Sequence, residues 1–307
     1  MNADRPLLGI ALMLGFCILA PMGDAIAKIL GTTIPLGQVV LTRFAVQALL
    51  LIPLVWVTGR MWRVRGRVLA LTAVRTVLHI AGIWGMFSAL VYLPLADAIA
   101  IVFVMPFFML LLGKFVLKEE VGPRRLIACI VGFAGTMLLV QPSFVAVGWP
   151  ALLPVFVAAN FALFMLVTRQ IAKATDPVGL QAVSGVMAVA VMAPLICFGS
   201  AFEVGSLDAV MPSRTEWMLL VGIGVLGTFA HLLMTWALRF APSATLAPMQ
   251  YLEIPFATFL GWLIFSDLPD GLAGIGIAIT VLSGLYIILR EQANARLLAK
   301  QVPPQPA

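Results

Sequence analysis

Ten apolar stretches, most of them close to the length of a bilayer crossing, follow one another with short polar joints between them. They are Leu7–Ile29, Leu36–Val57, Val68–Tyr92, Ala96–Val116, Leu126–Val140, Trp149–Val167, Val178–Cys197, Trp217–Leu238, Ser243–Ile264 and Gly271–Leu289. A helix needs about 17–25 mostly apolar residues to span a membrane. Inside lipid every backbone polar group must be paired within the segment, so helices are the expected element. The sequence therefore predicts an all-α integral membrane protein with ten transmembrane helices, the fifth of them short. Composition agrees, at 62% hydrophobic and only 10% charged residues, against about 25% charged in a soluble domain.

The first run is too long for a signal-peptide core and lacks a clear cleavage site, so it is read as a retained helix. The tail 290–307 is expected to be cytoplasmic and disordered. A net charge of +6 does not point to nucleic acid here, because the basic residues sit in short loops, where membrane orientation explains them. Arg60, Arg63, Arg65 and Arg67 crowd one such loop; Lys114, Lys118, Arg124 and Arg125 crowd another. The opposite face has only Lys28 and Arg214. This bias predicts an inner (plasma) membrane protein with both termini cytoplasmic and an even number of spans. Cys17, Cys129 and Cys197 fall inside apolar runs without a metal or disulfide spacing.

The two halves of the chain resemble each other. Ala89-Leu90, Pro94 and Ala96 match Ala237-Leu238, Pro242 and Ala244 at an offset of 148, and Pro106 matches Pro255 at 149. Five spans per copy is an odd number, so the copies would insert in opposite senses. The expected units are repeats over 7–140 and 149–289. Inverted repeats mark secondary transporters, whose sites lie near the midplane between the repeats.

Polar residues inside the spans are the candidates for function, because an ionisable group at mid-bilayer depth costs roughly 2.5–3.5 kcal/mol and usually faces a protein or water-filled interior. Gln250 and Glu253 share a helix face in the middle of the ninth run. Pro255 beside them should loosen that helix, with Pro106 as its repeat-related counterpart. Asp24 and Lys28 are four apart on the first helix and can pair, either as a gate or as a structural pair near the outer end. Arg43, inside the second helix, is expected to hold a carboxylate such as Asp24 or a substrate anion. Arg75 reads as an interface anchor near the cytoplasmic end, with His79 deeper on the same face, and Asp97 as an early-helix acid or N-cap. Asn160 can recognise a solute or join helices. Tyr251, His231, Trp84 and Trp236 complete the expected substrate lining, the aromatic rings as stacking surfaces for a planar ligand. No phosphate-binding loop, zinc motif or nucleophile elbow is present, so an enzyme is not expected, and neither a cofactor nor a metal is.

Ten helices in two five-helix halves, the Pro- and Glu-bearing ninth helix, and the acids after the fourth (Lys118-Glu119-Glu120) and ninth (Ser266-Asp267) resemble the drug/metabolite transporter superfamily, EamA type. Asp24-Ala25-Ile26-Ala27-Lys28 with Gly31, Arg43-Phe44, and Ala244-Thr245-Leu246-Ala247-Pro248 leading into Tyr251-Leu252-Glu253 are similar to its S-adenosylmethionine and riboflavin uptake carriers. Asp267 stands where the second half more usually has Glu, which keeps the charge. The resemblance implies alternating access around a central cavity lined mainly by helices one, three, four, six, eight and nine. It also implies secondary active or facilitative transport of a small organic metabolite, riboflavin first and S-adenosylmethionine next, with export of amino acids or amphiphilic metabolites as the alternative. The expected partners are that substrate and the lipid bilayer, with no nucleic acid, and the chain acting as a monomer or homodimer.

Overall fold

The computed structural model describes residues 6–105, 107–108, 111–112, 123–171, 174–201, 205–240, 250–269, 271–279, 281–283, 285–286 and 289. Among them every regular element is helical: α1 Pro6–Leu30, α2 Leu36–Thr58, α3 Gly66–Tyr92, α4 Leu95–Val102, α5 Pro123–Val147, α6 Leu153–Ile171, α7 Pro177–Ala201, α8 Arg214–Phe240 and α9 Glu253–Phe265. A shorter apolar helix, α10, covers Gly271–Ser283. Six helices are long and apolar enough to cross a membrane, namely Leu7–Leu30, Leu36–Thr58, Gly66–Tyr92, Trp149–Thr168, Pro177–Gly199 and Arg214–Ala237. Their outward faces carry exposed large apolar side chains such as Leu49, Val57, Phe198 and Phe229. That surface suits acyl chains and not water, and the chain is a multi-pass membrane protein.

The helix ends follow local chemistry. Gly59 closes α2 in the left-handed region (φ 60°), where its missing Cβ removes the steric cost. Asp176 accepts from the Val178 and Gly179 amides to cap α7, and it also pairs with Arg60 at 3.0 Å. Ser213 and Glu216 form a capping box at the start of α8: the Ser213 amide donates to Glu216 Oε2 at 2.7 Å, and the Glu216 amide to Ser213 Oγ at 3.3 Å. Gln38 ties the preceding connection to α2 through both directions of its amide with Val210 (2.9 and 3.0 Å).

The packing closes into a ring. Going round, α1 meets α8 and α9, α9 meets α4, α4 meets α6, α6 meets α3, α3 meets α7, α7 meets α2, and α2 returns to α8. These contacts come in matched pairs: α1 on α8 with α6 on α3, α1 on α9 with α6 on α4, and α2 on α8 with α7 on α3. Helix α5 lies outside the ring against α4 and the three-ten turn Trp149–Leu152. At 25 residues it is longer than the short fifth helix expected from Leu126–Val140.

Two expected spans differ from the structure. The fourth is broken: α4 ends at Val102, and Phe103 and Val104 form a turn. There the main-chain bonds tighten to i→i+3, with the Phe103 amide on Ala100 O (3.2 Å) and the Val104 amide on Ile101 O (3.1 Å). In the ninth, residues 241–249 lie outside the described residues, Tyr251 and Leu252 form a turn, and the helix begins at Glu253. The Ile254 amide likewise reaches back only three residues, to Tyr251 O at 3.3 Å. Pro255 therefore does not loosen a continuous helix. It occupies the first turn of α9, where a missing amide costs nothing. Asp97 is not an N-cap: Pro94 holds that position, and Asp97 sits in the first turn of α4, where the helix dipole favours an acid. Pro106 and the tail 290–307 lie outside the described residues, as does the side chain of Cys129. Cys17 is buried and Cys197 exposed.

Candidate functional site

The ring encloses a cavity of about 1010 Å³, its open mouth included. Its walls are the middle turns of α1, α3, α4, α6 and α8, with Gln250 and Glu253 at the break before α9 and Arg43 reaching in from α2. Most of the surface is apolar or aromatic, supplied by Phe16, Phe87, Phe103, Phe161 and Phe164 among others. The polar groups are few: Asp24, Arg43, His79, Asn160, His231, Gln250 and Glu253. An apolar chamber with a handful of placed polar groups is the usual form of a small-molecule site.

Arg43 is 3% exposed. Its Nη2 lies 3.2 Å from His231 Nδ1, which also approaches Gly227 O at 3.0 Å. Gly227 makes room for this side chain, since a Cβ there would fall 2.7 Å from Arg43 Nε. Among the described residues the Arg43 Nη1 has no hydrogen-bond partner, and it is buried. His79 sits beside it in an aromatic box, with ring centroids 4.5 Å from His231, 5.0 Å from Phe44 and 5.1 Å from Phe164; both its ring nitrogens are buried and have no hydrogen-bond partner among the described residues. Asp24 and Glu253 face the same chamber from α1 and α9. Among the described residues the ion pairs are Lys28–Asp267 and Arg60–Asp176, so the expected Asp24–Arg43 contact is not made.

Asn160 joins helices and lines the cavity: its Nδ2 donates across the helix boundary to Leu78 O at 2.7 Å, through the gap left by Gly82. Gln250 is buried, with Nε2 3.9 Å from Met13 Sδ. Beside the chamber two polar clusters tie the helices together. Gln47 Nε2 donates to Gln181 O (2.8 Å) and Oε1 (3.2 Å), and Gln181 in turn approaches Thr235 Oγ1 at 3.4 Å. Arg75 donates from Nε to Thr168 Oγ1 at 3.0 Å and from Nη1 to Ser184 Oγ at 2.9 Å, with its guanidinium 4.6 Å from the Phe164 ring centroid.

Three expectations need correcting. Arg75 is not an interface anchor: it is wholly buried, because the two hydroxyls and the Phe164 face replace its water. Lys28 does not pair with Asp24. Its amine extends to the end of the bundle, where it donates to Leu93 O (3.0 Å) and pairs with Asp267 (3.2 Å) over the Phe265 ring. Trp84, Tyr251 and Trp236 do not line the chamber. Trp84 packs against the main core, Trp236 against the Leu51–Leu232 cluster, and Tyr251 is 4% exposed with its ring tilted against Phe103 at 5.0 Å between centroids. The phenylalanine walls and the space-making glycines 82 and 227 were missed. A glycine inside an apolar helix is a recognisable signal for close approach, but the partner it admits is not written locally. Among the described residues no three His, Cys, Asp or Glu gather closely enough to hold a metal ion.

The model of the EamA-like transporter family matches residues 7–141 and again 148–290. The chain belongs to the EamA-like transporter family. As a member it is a membrane transporter of small metabolites, which fits a chamber built for binding. Similar EamA proteins include a riboflavin transporter of Rhizobium johnstonii, 31% identical over 222 residues (72% of this chain and 71% of that one). A riboflavin transporter of Vibrio cholerae is 27% identical over 86% of each chain. An S-adenosylmethionine uptake transporter of Rickettsia prowazekii is 24% identical over 93% of this chain and 94% of that one. A crystal structure at 19% identity shares the fold, with a TM-score of 0.62 over 96% of this chain and 97% of the other.

Proposed function

We propose that this EamA transporter is an inner-membrane uptake carrier for riboflavin, working by alternating access between two inverted five-helix repeats, 7–140 and 149–289. The observation that carries the reading is the chamber itself, a mostly aromatic and apolar space with Asp24, Arg43 and Glu253 set into its wall. A planar ring system stacks on phenylalanine faces, and a hydroxylated side chain bonds to carboxylates. The matched packing pairs of the ring support the repeat, as do the two separate matches to the family model. With both termini cytoplasmic, the Lys28 end of the bundle faces outward. Glu253, Gln250, His79, Asn160 and His231 are the substrate-facing groups in this reading, with Asp24 and Arg43 added to them from the gating set.

Riboflavin tracer flux into proteoliposomes containing the purified chain tests the proposal. Saturable flux competed by unlabelled riboflavin supports it; flux equal to that of empty liposomes sinks it. Glu253→Gln then asks about energy coupling. A proton-coupled carrier would lose uphill accumulation while keeping exchange. S-adenosylmethionine is the second substrate to assay, because its carriers align over 93% of this chain.

A further inference from the structure

The chamber wall carries charge of both signs. Arg43 stands beside His79 and His231, while Asp24 and Glu253 line the same space without an ion pair to the guanidinium among the described residues. Around Arg43, three buried donor or acceptor positions have no hydrogen-bond partner among the described residues: Arg43 Nη1 and both nitrogens of His79. A buried polar group left unbonded costs about 1–3 kcal/mol, and more when it is charged. Gly227 gives up a side chain to let this guanidinium lie where it does. Arg43 lines the chamber with no carboxylate paired to it among the described residues, so its charge is left for a group that arrives from outside.

We propose that the solute binds in one fixed polarity, with an anionic or acceptor-rich end on Arg43 and a hydroxyl-bearing or cationic end on Asp24 and Glu253. The inference rests on reading the chamber as the substrate site. For a flavin, the acceptor end is the dioxopyrimidine edge of the ring and the donor end is the ribityl chain. For a sulfonium amino acid, the carboxylate takes the Arg43 end.

The test uses the full chain, purified in detergent, with affinities from ligand-induced melting shifts and two pairs of probes. Riboflavin and lumiflavin share a ring but differ in the ribityl chain. S-adenosylmethionine and its decarboxylated form differ only in the carboxylate. Arg43→Gln should weaken riboflavin and lumiflavin alike, by about ten- to a hundredfold, the range of one hydrogen bond to a charged group. It should abolish the preference for S-adenosylmethionine over the decarboxylated form, and Arg43→Lys should restore part of it. Asp24→Asn should weaken riboflavin and leave lumiflavin unchanged. If Arg43→Gln is poorly folded, Gly227→Ala, which crowds the same guanidinium, takes its place. Riboflavin binding unaffected by either variant overturns the inference, as does a wild type stabilised by no acceptor-bearing probe. Absent riboflavin flux with the carboxylate pair still told apart through Arg43 would remove the flavin reading and keep this one.

Discussion

The rings of Phe103 and Tyr251 meet with their centroids 5.0 Å apart and their planes tilted by 37°, and each residue sits in the turn that interrupts its helix. The two residues are 148 positions apart, the same spacing as Pro94 and Pro242. The break before α9 and the break after α4 therefore touch through these two side chains.

Phe103→Leu and Tyr251→Leu should each slow transport, and the double variant should be milder than the sum of the two. The coupling expected for one aromatic pair is about 0.5–1.5 kcal/mol. A double-mutant cycle on melting free energy and on flux measures it. Strict additivity would mean that the breaks act independently.

Lys28 closes the end of the bundle by joining α1 to Leu93 O and to Asp267. The pair is partly exposed, at 18% and 38%, so its strength is that of a surface ion pair, about 0.2–1 kcal/mol. Lys28→Gln and Asp267→Asn should each raise access to the chamber from that side about two- to fivefold. Raised salt on that side should do the same to the wild type. Labelling of a cysteine introduced at Gly23, with a membrane-impermeant thiol reagent, reads the change; the exchanged pair Lys28→Asp with Asp267→Lys should reverse it.

Gly227→Ala places a methyl group 2.7 Å from Arg43 Nε and 2.9 Å from Cζ. The guanidinium has to move, at a cost of about 1–3 kcal/mol. The expected outcome is a KM raised by about tenfold with kcat little changed, measured as concentration-dependent flux. Gly222→Ala, on the same helix but outside the chamber lining, where a Cβ meets only Ile26 Cδ1 at 3.8 Å, is the control and should transport like the wild type.

Arg75→Lys keeps the charge but loses the fork that reaches Thr168 and Ser184 together. One lost hydrogen bond to a charged group is worth about 1.5–3 kcal/mol. The variant should melt several degrees lower in detergent, with substrate affinity unchanged because Arg75 does not line the chamber. A fall in affinity without a fall in melting temperature would place Arg75 in the binding site instead.

The spans were readable because lipid imposes their length on the sequence, and the six long helices follow the apolar runs within a few residues. The breaks were not readable. Phe103-Val104 and Tyr251-Leu252 are as apolar as the helices around them, so hydropathy runs straight through. Side-chain facing failed for a related reason. A helix that is hydrophobic all round has no amphipathic phase to show which side faces inward, and Trp84 and Trp236 were assigned to the chamber on chemistry alone. Asn160, His79 and His231 reach it because a polar group in such a helix has nowhere else to go. Partners far away in the chain were equally hidden: nothing near Lys28 points to Asp267, 239 residues on.

The amides of Phe103, Val104 and Ile254 each bond three residues back in place of four, the bonding of a three-ten turn, which winds by close to 120° per residue against the 100° of an α-helix. Each residue that relaxes from one winding to the other turns everything beyond it by about 20°. Two residues relaxing ahead of Glu253 swing its carboxylate by about 40° around the axis of α9, with no long helix displaced sideways. An acid mounted on such a screw can be brought into the lumen, or withdrawn from it, by twist alone.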